Sequence, residues 1–396
     1  MSVSNILLPG VGSFSANDLY FKLQSSYSGD AFPDNYAIMV QIMMRPTPGS
    51  GDTYDELVIL ECRPDEEGYV DFNISSIIDK AIRNRISEAP IPNNGQLQDP
   101  FLPQTTYDYA VNVAEREGTP PDIGEYSNVF EGYAILGGID RTTFHRTYVD
   151  DIVAGSAKTI FSYNIPNRTV GRSQLQWLNW FNASGGDVSA NAEFKLYDEN
   201  LTLIGTESGS SVSVPAYNMA SFPGLYSVNL GLLKPKLFTM QIMSGGAVSP
   251  LVTYVVDDEV YQNERHLIYL NSYTGLEGLR CTGDFDRDVE MDRQRSVAVD
   301  NVNGVATTKR ELMQIGVDWN NVYTFRTGHI TKQEREALDE MIVNNLGWEY
   351  RNNKMYSLDF LDNSVKVLDT GAMLDSIEFK CTDAVKKKII PQETRV

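Results

Sequence analysis

Histidine and cysteine are the scarcest reactive side chains in this chain of 396 residues, three of each. His145, His266 and His329 are scattered, and no His-Glu-x-x-His or Gly-x-Ser-x-Gly motif is present. Gly10-Val11-Gly12 is not completed to a phosphate-binding fingerprint, and Gly209-Ser210-Ser211 lacks the last glycine of a nucleophile elbow. Cys62, Cys281 and Cys381 are odd in number, and each lies in or beside an apolar run. Buried free thiols are expected, in place of disulfides or a zinc site. No catalytic, cofactor-binding or metal-ligating residue is expected. A carboxylate pair is the one hydrolytic device these residue types leave open.

Basic residues are also in deficit, 33 against 53 acidic ones, for a net charge of −20. Such a surface repels phosphates and anionic lipid, so sequence-specific nucleic-acid binding is not expected, although an acidic wall lining a DNA channel stays open. The one compact basic patch, Lys386 to Lys388, reads as a solvated tail. Eighteen consecutive apolar residues occur nowhere, and the start, MSVSNILLPG, has no positively charged leader region. Neither membrane insertion nor secretion is expected, which places synthesis in a cytoplasm. The Asn-x-Ser/Thr matches at Asn73, Asn167, Asn182 and Asn200 then carry no glycosylation meaning.

What is abundant points to sheet. Hydrophobic residues make up 42% of the chain, enough for folded cores, and 21 Tyr and 16 Phe accompany many Val, Ile and Thr. The length divides into three blocks: 1–140, 141–260 and 261–396. In the first, NDLYFKLQS, NYAIMVQIMM, DELVILEC and GYVDFN read as strands. Asn73 then caps a helix over about 74–87, with Ile74, Ile77, Ile78 and Ile82 on one face. The second block, from KTIFSYNI to SPLVTYVVDD, shows strand runs only, at the spacing of a β-sandwich. The ends of the two blocks superpose, YDYAVNVAE…SNVFEGYAILGGID upon LFTMQIMSG…SPLVTYVVDD, with Ser127 and Ser249 in register. This predicts a duplicated sandwich. The expected fold is mainly β: tandem Ig- or fibronectin-III-like sandwiches followed by a β-rich α+β domain.

That third block carries one helix over about 332–346. Thr331 and Glu334 form a capping box, Leu338, Met341, Ile342 and Leu346 the apolar stripe, and Gly347 a C-cap. Asn303-Gly304 predicts a two-residue hairpin turn. GDFDRDVEMD sets acids at Asp284, Asp286, Asp288, Glu290 and Asp292. An EF-hand would need Gly at Val289 and Glu at Arg295. The period of two instead predicts a strand, with Phe285, Val289 and Met291 covered and the carboxylates in water. A cation bound by Asp284, Asp286 and Asp288 is the alternative. Trp177 and Trp180 would face opposite sides of another strand, one in the core and one at the surface.

Three stretches, LIYLNSYTGLEGLRCTGDF, FRTGHITKQEREALDEMIVNNLGWEY and KMYSLDFLDNSVKVL, resemble structural proteins of tailed bacteriophages, particularly crAss-like and related phages of Bacteroidetes. The resemblance rests on the strand end Leu270, Asn271 and Gly275, and on the helix before a Tyr-rich hairpin. GYVDFNISSII in the first block is similar in style. It implies a virion part of the tail, neck or baseplate, an oligomeric ring of identical subunits joined to other virion proteins, and no functional residue. The alternative is a glycan- or receptor-binding surface module using an exposed aromatic such as Trp180.

Overall fold

The computed structural model describes residues 3–25, 27–28, 32–46, 53–85, 102, 105–138, 167–172, 174–182, 186–216, 218–224, 234–245, 247–271, 274–297, 312–331, 334–335, 338, 341, 347–352, 354–361, 366–369, 374–384 and 387–389. Two compact units result. One is Met1–Asp257 with Leu270–Glu277, the other Asp258–Tyr269 with Gly278–Val396. The architecture is mainly β, and every sheet draws its strands from one of three stretches, 4–135, 167–257 or 265–389.

In the first stretch, alternation builds the core. Along Ala37–Met44, Ile38, Val40, Ile42 and Met44 are fully buried, while the intervening Met39, Gln41 and Met43 are half-buried. This strand pairs with Asp55–Cys62 on one side and Thr106–Glu117 on the other. The sheet runs Gly12–Phe14, Ser127–Ile135, Thr106–Glu117, Ala37–Met44, Asp55–Cys62, antiparallel except for the first pair. A three-stranded sheet, Ser4–Leu7, Tyr20–Gln24 and Tyr69–Asn73, faces it. Phe21 joins the two, stacked on Phe72 at 5.1 Å and edge-on to Phe130 at 5.4 Å.

The predicted helix is present as Ser75–Arg85, with Ile74, Ile78 and Ile82 fully buried. Asn73 Oδ1 accepts the N–H of Ser75 at 3.0 Å and of Leu19 at 3.2 Å, so one amide caps the helix and ties it to the neighbouring strand. Asp79 holds it from the other side, accepting Ser15 Oγ at 2.6 Å and Arg83 Nε at 2.7 Å.

The second stretch repeats the first. Its large sheet runs Asn167–Gly171, Val252–Asp257, Leu237–Ser244, Val188–Tyr197, Leu203–Ser208, again with only the first pair parallel. The strand order matches that of the first stretch position for position, as the duplication predicts. A two-stranded sheet, Trp177–Phe181 with Met219–Pro223, supplies Leu178, Trp180, Ala220 and Phe222 to a core shared with Phe194, Leu196, Phe238, Met240 and Tyr254. KTIFSYNI lies outside the described residues; the first strand observed is Asn167–Gly171.

The third stretch curls. Its sheet runs Leu276–Cys281, Arg265–Leu270, Gly347–Arg351, Lys354–Phe360, Leu374–Asp383, Leu312–Arg326, Asp286–Val297. The first of these strands returns to the sixth. Thr282 N–H donates to Thr327 O at 3.2 Å and Gly283 N–H to Arg326 O at 3.1 Å. Six strands thereby close around Leu267, Tyr269, Leu279, Phe325, Leu358, Phe360, Ile377 and Phe379. The strand Asp286–Val297 stays outside this ring, on the flank of Leu312–Arg326.

Of the helix expected over 332–346, Glu334, Arg335, Leu338 and Met341 are helical, and the last two are buried in the same core. The rest, like the Asn303-Gly304 turn, lies outside the described residues. Gly347 is not a C-cap. It opens the strand Gly347–Arg351, where a Cβ would meet the Phe360 ring at 2.6 Å. Lys387 and Lys388 are no loose tail either, since Lys387–Ile389 pairs in register with Trp319, Asp318 and Val317.

Candidate functional site

The densest buried polar cluster surrounds the strand end LNSYTGLE. Asn271 folds this turn on itself: its N–H donates to Gly275 O at 2.8 Å, and its Oδ1 accepts Gly275 N–H at 2.8 Å. Thr274 takes a left-handed φ of 70° to make the bend. Gly275 is required by space, because a Cβ there would lie 2.2 Å from Asn179 Cγ. The turn presents Glu277, 2% exposed, to Arg168, and the two form a buried ion pair. Asn271 Nδ2 and Asn179 Nδ2 also reach Glu277 Oε1, at 3.2 and 3.4 Å. Asn179 Nδ2 donates to Leu276 O at 2.9 Å, while Ser221 Oγ accepts Leu276 N–H at 3.1 Å. Burial, offset partly by Arg168, pushes the nearby Tyr254 hydroxyl up to about 12. Chemically this is a tie. It neutralises one charge of each sign and fastens the turn to three strands of the second sandwich.

The second cluster fills one end of the closed sheet in the other unit. Glu349, 1% exposed, lies 3.4 Å from Arg265 Nη1 and 3.8 Å from Arg351 Nη1. Burial raises its carboxyl above the ordinary value, and the two arginines offset this only in part. Asp383 accepts Asn321 Nδ2 at 2.9 Å and Tyr323 OH at 3.1 Å, and Arg287 reaches Asn321 Oδ1 at 2.8 Å. Arg265 stacks over Phe285 at 4.2 Å. Outside this belt Arg280 grips Glu264 through Nε and Nη2 at 2.9 and 3.1 Å. His266 Nε2 stands 3.0 Å from the same carboxylate, yet burial lowers its pKa.

The acidic stretch is a strand, Asp286–Val297. The expected covered side holds only at Phe285, which packs on the core, while Val289 is 46% exposed and Met291 57%. The strand lies on the open flank of Leu312–Arg326, and every residue from Asp286 to Met291 is exposed. Asp286 accepts Arg326 Nη1 at 2.9 Å, and Arg326 Nη1 also reaches Asp284 O at 3.3 Å. Among the described residues no cluster of His, Cys, Asp and Glu is placed to hold a metal ion.

Two other expectations are corrected. Trp177 and Trp180 are both buried, 5% and 3% exposed, because Trp177–Phe181 is covered on both faces. Trp180 is therefore unavailable as a sugar platform. Cys281 and Cys381 are buried thiols pushed up by desolvation, but Cys62 is only half-buried. His329 is exposed, and His145 lies outside the described residues. Arg168, Asn179 and Glu277 carried no local signal in the sequence. Of the tie, only Asn271 and Gly275 stood out.

No protein-family model matches this sequence, and no curated protein matches it. Among solved structures, the chain is similar to the chicken CNTN1 FN1-FN3 domains at 9% identity, over 65% of this chain and 69% of that one, with a TM-score of 0.17. It is also similar to a trypsin-activated alpha-2-macroglobulin from Escherichia coli at 8% identity and TM-score 0.22, over 96% of this chain and 23% of that one. A Salmonella alpha-2-macroglobulin mutant gives 8% and 0.23, over 99% and 30%. Likenesses this slight carry no argument beyond themselves. The repeated strand order makes the first two stretches a pair of alike β-sandwiches in a mainly β chain.

Proposed function

We propose that this chain is a structural subunit of a virion, in the tail or neck of a phage, that assembles through contacts between its β-domains. The observation that carries the assembly reading is the open flank of two long strands. Among the described residues, Asp55–Cys62 and Asp286–Val297 each pair on one side only, and neither contains a buried side chain where burial is described. Open strands of this kind are templates for pairing with another chain. Both buried polar clusters serve packing in this reading. Glu277 and Asp383 accept hydrogen bonds from their neighbours, and Glu349 faces two arginines. The phage assignment rests on the resemblance carried by Leu270, Asn271 and Gly275.

Sedimentation of the purified chain, with electron microscopy of the same sample, tests the proposal. Closed rings of identical copies are expected, or rings formed once a neighbouring virion protein is added. A chain that stays monomeric under both conditions, and that antibodies fail to find on virions, would overturn it.

A further inference from the structure

Domains in series swing against each other unless a contact holds their angle. Within the first unit such a contact runs through the few residues ahead of Thr106–Glu117. Leu102, from the first stretch, packs against the core of the second sandwich. Three residues on, Thr105 O accepts the Leu136 N–H at 2.8 Å, which ties this segment to the first sandwich. The Thr105 side chain points elsewhere: its Oγ1 lies 3.1 Å from Thr274 Oγ1. Both threonines are fully buried, so breaking that hydrogen bond would leave two hydroxyls without water to replace it.

Thr274 is an unusual residue for its place. A β-branched side chain at a left-handed φ of 70° is strained, where glycine would sit easily. Such strain persists only where the surroundings enforce it. Here they do so from the second sandwich. Thr274 N–H donates to Asn271 O at 3.0 Å, and Asn271 Nδ2 reaches Glu277. Leu276 and Glu277 are held in turn by Asn179, Ser221 and Arg168. What threonine adds over glycine at this bend is the hydroxyl that meets Thr105.

We propose that the turn carrying Thr274 is a latch between the two sandwiches: anchored in the second, it grips the first through Thr105 and, with Leu102, fixes their mutual angle. Releasing the latch frees the first sandwich to swing while the strands of both stay in place. The latch acts within one copy of the chain and stands or falls separately from the rings of the proposed function.

Pulsed electron paramagnetic resonance on the full chain tests this. Nitroxides go on Glu66→Cys and Thr206→Cys, both exposed and one in each sandwich, in a Cys62→Ser background. The parent is expected to give one narrow distance distribution. Thr274→Gly relieves the strain of the turn but removes the hydroxyl, and the distribution is expected to widen about twofold. Thr274→Ser keeps the hydroxyl and should stay narrow, whereas Leu102→Ala combined with Thr274→Gly should be the widest. Circular dichroism and tryptophan fluorescence confirm that each variant is folded; if the double variant is not, the comparison of Thr274→Gly with Thr274→Ser decides. A broad distribution in the parent, or a folded Thr274→Gly protein as narrow as Thr274→Ser, would overturn the proposal.

Discussion

Replacing Glu277 by Gln tests the physical account of the first unit most directly. The substitution keeps the shape of the side chain and an oxygen for Asn271 and Asn179, but removes the charge that Arg168 faces. Both side chains lie out of water, 2% and 10% exposed, so the guanidinium would lose the buried carboxylate that faces it. Breaking a buried pair in this way costs about 3–5 kcal/mol. For a unit of this size, each kcal/mol lowers the melting temperature by about 2–4 °C, so a fall of roughly 10 °C is expected. The double variant Arg168→Met/Glu277→Leu should be the milder one, because it removes both charges together and refills the space. Urea unfolding followed by tryptophan fluorescence suits the measurement. Trp177 and Trp180 belong to the first unit, and Trp319 and Trp348 to the second. Glu277→Gln unfolding within about 0.5 kcal/mol of the parent, or a double variant weaker than the single one, would refute the reasoning.

Three further outcomes follow. Trp180→Ala removes an indole from the second sandwich core and should cost about 3–5 kcal/mol in the same urea assay, appearing as a folding defect before any binding defect. Gly275→Ala drives a methyl into Asn179 and should destabilise the first unit by about 1–3 kcal/mol, with little effect on unfolding of the second. The second unit should respond to pH at two groups of opposite sign. Glu349 has a raised folded value, so its folded state holds the proton longer than the unfolded chain does. Stability from this group is therefore full below its ordinary 4.5 and declines as pH rises through the raised value. His266 has a lowered folded value, so its contribution is present above 6.5 and declines as pH falls toward that lowered value. Thermal melts of Glu349→Gln and His266→Gln against pH should each flatten one of these slopes, and parallel curves for parent and variant would contradict the assignment.

Much of the fold could be read from side-chain period alone. The isoleucines at 74, 78 and 82 match the helical period, and the apolar run of Ala37–Met44, flanked by polar turn residues, fits a strand whose burial then alternates from Ile38 to Met44. The duplication was legible in Ser127 and Ser249 and their flanking strands, and it reappears as a shared strand order. Short strands were not legible. Ser4–Leu7, Gly12–Phe14 and Asn167–Gly171 are too brief for a period to show, and the last two are defined by parallel partners more than eighty residues later in the chain.

Period also failed wherever a second layer was present or missing. Trp177 and Trp180 alternate correctly, but both faces of their strand are covered. Val289 and Met291 alternate correctly, but among the described residues nothing buries them on this flanking strand. The polar tie was invisible for a different reason. Arg168 and Glu277 are separated by 109 positions, and nothing near either residue marks it as the partner of a buried charge.

The path of the chain through its two units has a consequence for synthesis and for trimming. The polypeptide leaves the first unit after Asp257, returns for Leu270–Glu277, and leaves again. As a ribosome releases the protein from its amino end, both sandwiches emerge complete in their strands while the acid that balances Arg168 is still to come. A fragment cut near residue 260 would retain every described strand of those sandwiches and yet lack the carboxylate that faces Arg168. Eight residues borrowed from beyond the apparent border finish the job.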